Sequence, residues 1–280
     1  MTTTPSAPSV ATSYALGRTT EEYDRVRRQA ELWEAATERV LDRVDLPEGA
    51  RCLDAGCGPG VTMRQLAQRV GPDGLVVGID SDAELGALGV RLLHEAGHRQ
   101  CAFHVHDLRS DDPVPGGPFD LVYVRLVLFH LPHRGEVLTR LWDAVRPGGT
   151  LVVQDYDLSV VSAVPQLPSA QAVCDLLLRA FSAAGCEVRV GSLLPRLFDV
   201  AGIGRPDGTD VAGRLDPLAT AGRMLEGTFR SLLPAAIAHD LVTESDAEML
   251  LVRLADDMTA DPEHPLLWPL LVGAWKRKPA

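Results

Sequence analysis

Leu53-Asp54-Ala55-Gly56-Cys57-Gly58-Pro59-Gly60 decides the reading of this chain. A short apolar run from Arg51 to Leu53 enters an aspartate, and three alternating glycines follow. Val61 to Val70 then has the composition of a helix. Strand, glycine turn and helix form the first half of a nucleotide-binding βαβ unit, in which glycine lets the backbone approach a ligand closely. The spacing selects the ligand. A dinucleotide site needs Gly-x-Gly-x-x-Gly with a pyrophosphate at the helix N-terminus. Here Val61 stands where that third glycine belongs, and Asp54 sits where it would repel a phosphate.

The segments that follow repeat the pattern. Strands are expected over Arg51–Asp54, Leu75–Ile79, Ala102–His106, Leu121–Val124 and Thr150–Gln154. Helices are expected between them over Thr62–Val70, Asp82–Ala96 and Gly135–Val145. Such alternation predicts a parallel sheet with helices on both faces and a ligand beyond the carboxyl ends of the strands. Asp54, Asp80, Asp107 and Arg125 all fall at those ends. After Asp157 the pattern loosens: helices are expected over Ser169–Ala184, Gly191–Gly202, Pro217–His239 and Ser245–Met258, with strands at Thr209–Leu215 and Leu266–Trp275. Ahead of the first strand, apolar residues near helical spacing from Thr19 to Val44, including Trp33, Thr37 and Val40, predict one or two amphipathic helices.

In five places, in the same order, the chain resembles the class I S-adenosylmethionine (SAM) methyltransferases. The glycine loop matches motif I of that family, Asp/Glu-x-Gly-x-Gly-x-Gly, through Asp54, Gly56, Gly58 and Gly60. Gly78-Ile79-Asp80 ends the second run, His106-Asp107-Leu108 the third, and Phe119 to Val124 is similar to the fourth strand. Arg146-Pro147-Gly148-Gly149-Thr150-Leu151 is similar to the turn into the fifth. The resemblance implies an α/β, Rossmann-like, doubly wound sheet of seven strands, mostly parallel with one antiparallel strand, under an N-terminal helical lid. It divides the chain into a disordered tail (1–12), the lid (13–47) and a SAM-binding domain (48–280) with capping helices after 157. Asp80, followed by Ser81, is then the ribose ligand, a bidentate acceptor for a diol. Its competing role is a helix N-cap. Asp107, with Leu108 beside it, faces the adenine amine, and Asp54 fixes the glycine loop and the amino-acid part of SAM. Cys57 fills space in the loop, and Arg125 completes the cofactor set.

The acceptor side has fewer signals. Phe129, His130 and His133 follow strand four, and two histidines three apart share a face on a helical turn. An imidazole can take a proton from a hydroxyl, phenol or amine at neutral pH, so both are candidate bases. Asp155 and Asp157 are substrate ligands, metal ligands or solvated loop carboxylates. The fuller ligand set of metal-dependent catechol methyltransferases is missing, and no metal is expected. Five scattered cysteines without a CxxC pair indicate neither disulfides nor zinc.

A formal charge of −11 argues against nucleic acid, whose binders cluster Lys and Arg. No apolar run is long enough to span a membrane, and residues 1–12 lack the basic and apolar regions of a signal peptide. The expectation is a cytoplasmic enzyme, with a homodimer compatible, that methylates a small, secondary-metabolite-like molecule at oxygen, nitrogen or carbon. The alternative is an enzyme of the same fold that binds SAM but catalyses a cyclisation, elimination or pericyclic step without methyl transfer, since fold does not fix function.

Overall fold

The computed structural model describes residues 27, 28 and 30–280. The tail expected over residues 1–12 and the first part of the lid lie outside the described residues.

The main sheet has seven strands in the order β3-β2-β1-β4-β5-β10-β7. They are β1 (Arg51–Ala55), β2 (Leu75–Asp80), β3 (Cys101–Val105), β4 (Phe119–Arg125), β5 (Val145–Asp157), β7 (Gly208–Ala212) and β10 (Leu270–Arg277). Strands β1 to β5 pair in parallel, and β10 runs antiparallel to both β5 and β7. The sheet is the Rossmann-like one expected, with its antiparallel strand second from the edge. Strand order reverses between β1 and β4, which opens a crevice at their carboxyl ends.

Side-chain alternation builds a helical layer on each face. Cys52, Leu121, Tyr123 and Val152 face one way and share a core with α1 (Glu34–Leu41), α2 (Val61–Val70) and α3 (Ala83–Glu95). Leu53, Val122, Val124 and Val153 face the other way, toward α4 (Arg134–Asp143) and α6 (Val190–Val200). The caps follow from local chemistry. The Asp82 carboxylate accepts from the Leu85 N–H at 3.0 Å to start α3, and Gly71 closes α2.

The second half departs from the expected single strands. Thr209–Leu215 is broken at Gly213-Arg214 into β7 and β8 (Leu215–Pro217), and Leu266–Trp275 at Trp268-Pro269 into β9 (Pro265–Leu267) and β10. Periodicity cannot show this break, because the continuations of β7 and β10, β8 and β9, leave the main sheet together and stay extended. Trp268 N–H still donates to the Arg214 carbonyl at 3.0 Å across the bend, and the ribbon continues as a small sheet, β6-β9-β8, with β6 at Ser162–Ala163. Helices α5 (Pro168–Ala183), α7 (Leu218–Ala238) and α8 (Glu244–Ala260) pack together beside it as a cap.

Candidate active site

One cavity of about 790 Å³ lies beyond the carboxyl ends of β1 to β5 and runs beneath the cap. That volume suits small-ligand recognition, for which sites span roughly 300–1,000 Å³.

The glycine loop forms one wall. Gly56 and Cys57 donate their N–H groups to the Ile79 carbonyl at 2.8 and 3.0 Å, clamping the loop to β2. Gly58, at φ +49°, donates to Asp80 Oδ2 at 2.9 Å, and a Cβ there meets nothing of the protein closer than Leu85 at 4.0 Å. That open space is the cradle a ligand would fill. Gly56 is different: its Cβ would stand 2.2 Å from Val127 Cγ2. Gly60 does not line the cavity; it starts α2 in a left-handed conformation, and a Cβ would press on Leu93 at 3.1 Å.

Of the five carboxylates that line this space, three come from the ends of β1, β2 and β3. Asp80 accepts from Gly58 and, through Oδ1, from the Asp82 N–H at 2.9 Å. Burial raises its pKa, and those N–H groups hold the rise back. Asp82 rather than Asp80 caps α3. Asp54 is fully buried, and its Oδ2 has no hydrogen-bond partner. Burial pushes its pKa up to about 7; the Arg125 cation opposes that, and Asp80 adds to it. Asp107 is half-exposed and held by the Arg109 guanidinium through Nε and Nη2 at 2.8–3.0 Å, which keeps its carboxyl below the usual range. Ser81 and Leu108 line the cavity beside Asp80 and Asp107.

Arg125 is buried and held from behind. Its Nη1 donates to Thr37 Oγ1 at 2.9 Å. Thr37 donates to Gln154 Oε1 at 3.1 Å, the Tyr123 hydroxyl bonds to the same Gln154 oxygen, and Gln154 Nε2 reaches the Ala36 carbonyl at 3.3 Å. This network joins α1 to β4 and β5. Sequence reasoning missed it because Thr37 and Tyr123 lie among apolar residues at the right period for a core. The only signal was their hydroxyl groups at buried positions.

His130 and His133 part company. His130 ends a single 3-10 turn (Leu128–His130) and lines the cavity, its Nδ1 3.8 Å from Cys186 Sγ. Its ring packs edge-to-face on Phe129, which packs on Phe181. His133 begins α4 at φ +49° with its side chain 75% exposed, and it does not line the cavity. The turn ends at Leu131 and Pro132, so the two rings never share a helical face.

Asp155 is neither a solvated carboxylate nor part of a metal cluster; the described residues contain no metal-binding group of three or more. It is fully buried and accepts from the Phe129 and Tyr156 N–H groups at 3.1 and 2.9 Å, which pins the turn that carries His130. Burial pushes its pKa up to about 7 as well. Asp157 is engaged by Ser159 and Ser192. Trp33 lies outside the cavity and donates to the Tyr156 hydroxyl at 2.7 Å, holding a residue that does line it. His106 also lines the cavity, with Nε2 buried and unpartnered.

Residues 23–199 match the model of a methyltransferase domain family. The chain belongs to that family, the class of proteins that takes its methyl group from S-adenosylmethionine. Methyltransferase str3 of Strobilurus tenacellus is 29% identical over 195 residues, 69% of this chain and 67% of that protein. Trans-aconitate 2-methyltransferase of Delftia acidovorans is 29% identical over 91% of this chain and 95% of its own length. The chain spans less than half the length of several other trans-aconitate 2-methyltransferases it matches. A provisionally assigned methyltransferase of Bacillus halodurans shares the fold, with a TM-score of 0.58 at 14% identity over 87% of this chain and 98% of that one.

Proposed function

We propose that this chain transfers a methyl group from SAM to a small-molecule acceptor, with Asp54, Asp80 and Asp107 holding the donor and His130 serving the acceptor. The observation that carries the reading is the convergence of these four residues, from four separate strand ends, on one cavity.

The residues present fit the donor. The unpartnered Asp54 oxygen suits its ammonium group, the Arg125 guanidinium its carboxylate, and the open face of Gly58 the body of the ligand. Asp80 keeps lone pairs for a ribose diol beyond the two N–H groups it accepts. Asp107, with Leu108, serves the adenine edge. When bound, SAM supplies an electrophilic methyl group on a sulfonium.

The protein's remaining work is to orient the acceptor and exclude water. The cap covers the cavity, and the turn pinned by Asp155 sets the position of His130. An imidazole there takes the proton from a hydroxyl or amine as the acceptor reacts.

The test is calorimetric titration of the full chain with SAM, followed by mass detection of S-adenosylhomocysteine and of an acceptor one methylene heavier. Both products appear together if the reading holds. An acceptor that rearranges while SAM stays intact would transfer the site to the non-methylating alternative, and absence of SAM binding would end both.

A further inference from the structure

The two halves of the cavity differ in charge. Among the described residues, its lining cations are Arg109 and Arg125, both at the strand ends and both engaged, by Asp107 and Thr37 respectively. The carboxylates Asp54, Asp80, Asp82, Asp107 and Asp155 lie in that half too. The half beneath the cap is walled by Leu177, Leu178 and Phe181 of α5, Met224 and Leu225 of α7, and Trp268 between β9 and β10. Among the described residues α5 and α7 bring no charged side chain to the lining. Phe181 stands 4.9 Å from Phe129, and Phe129 4.6 Å from His130, so a continuous wall of rings leads from the cap to the candidate base.

Given the methyltransferase reading above, we infer that the acceptor is uncharged, with an apolar, ring-sized body seated beneath the cap and one protic group presented to His130. Among the described residues a polycarboxylate such as trans-aconitate finds no cationic partner beneath the cap, where the Trp268 indole N–H is a single unpartnered donor suited to one neutral acceptor atom. Seating a carboxylate against these walls strips its hydration with no compensating cation among the described residues there, and the lining carboxylates on the strand side outnumber the cations.

The probe is N-phenyl-1-naphthylamine, a neutral two-ring fluorophore whose emission rises in apolar surroundings. It is titrated into the full chain saturated with S-adenosylhomocysteine. Saturable binding is expected, weakened about tenfold or more by Leu178→Glu and less by the size-conserving Met224→Gln. Both side chains are only half-buried, and unchanged calorimetric affinity for S-adenosylhomocysteine shows that each variant is folded. Millimolar trans-aconitate should neither displace the probe nor be methylated. Displacement or methylation by trans-aconitate, or probe binding indifferent to both substitutions, overturns the inference. If S-adenosylhomocysteine does not bind the unaltered chain, the cofactor reading fails instead, and the probe titration without it still reports on the apolar half.

Discussion

The two ends of the cavity are built by opposite means. The donor end is made of strand termini between Asp54 and Arg125: carboxylates whose oxygens face a shared space and a glycine loop bonded to the neighbouring strand. The acceptor end is made of helix faces and a bent ribbon between Leu126 and Pro269, walled mainly by apolar side chains. A ligand with fixed polar groups demands particular atoms at particular places, so the donor end tolerates little substitution. An apolar body demands only volume and shape, which many combinations of Leu, Met and Phe supply. The first kind of site constrains residue identity; the second constrains only size.

The sharpest way to break that contrast is at the donor end, where one added group should do the most damage. In Gly58→Val a branched Cβ would enter the cradle, on a backbone at φ +49° that branched residues avoid. SAM binding should disappear from calorimetry while circular dichroism stays native. A Gly58→Val chain with normal affinity would mean that the loop does not approach the donor.

Asp80→Ala comes next. It removes two charge-assisted acceptors for the ribose, worth roughly 2–4 kcal/mol in a dry site, or about 30- to 1,000-fold in affinity. The structure adds a second consequence: the carboxylate also holds Gly58 and Asp82 N–H groups. Asp80→Asn, which retains one acceptor oxygen, should recover part of the loss. If Asn and Ala are equally weak, holding the loop contributes little and the ligand contact is everything. Unchanged affinity in Asp80→Ala would remove the residue from the site.

The same contrast explains what was legible in the sequence. Asp54, Asp80 and Asp107 could be placed at the cavity because strand–helix alternation puts the strand ends there, while their roles toward a donor come from the resemblance to the methyltransferase motifs. The acceptor wall was not legible, since Leu177, Phe181 and Met224 follow the same helical period as a core face. Where no continuous element exists, spacing also misleads. His130 and His133 are three apart, but the left-handed His133 and the intervening proline turn its ring out to solvent. The breaks at Gly213 and at Trp268-Pro269 were hidden for a related reason: both sides of each bend are extended, and only the change of partner sheet separates them.

His130 stands where the two ends meet, and its removal tests the seam between them. If the ring serves proton transfer and not the donor, as proposed, His130→Ala should lower kcat by about 100-fold while SAM affinity stays nearly unchanged. Raising the pH should restore part of the rate for a phenolic acceptor, whose own ionisation replaces the missing base. If kcat does not change, positioning alone accounts for the reaction.

The smallest effect expected is a pH dependence confined to the donor end. In the free chain the Asp54 carboxyl, raised to about 7 by burial, is protonated below that pH. A protonated acid cannot pair with the ammonium group of SAM, so binding there must expel the proton. Affinity should then fall about tenfold per unit as the pH drops below roughly 7 and level off above it. Proton release should appear as a binding enthalpy that varies with the buffer. Acid unfolding would not mimic this through Asp54 or Asp155. Both have folded pKa values raised above the unfolded one, so their contribution to stability is fully present at low pH and is lost as the pH rises through about 7. Asp54→Asn should bind more weakly at neutral pH and lose the dependence on pH and buffer. A slope that survives in Asp54→Asn would assign the proton to another group and leave Asp54 with only a structural part in the glycine loop.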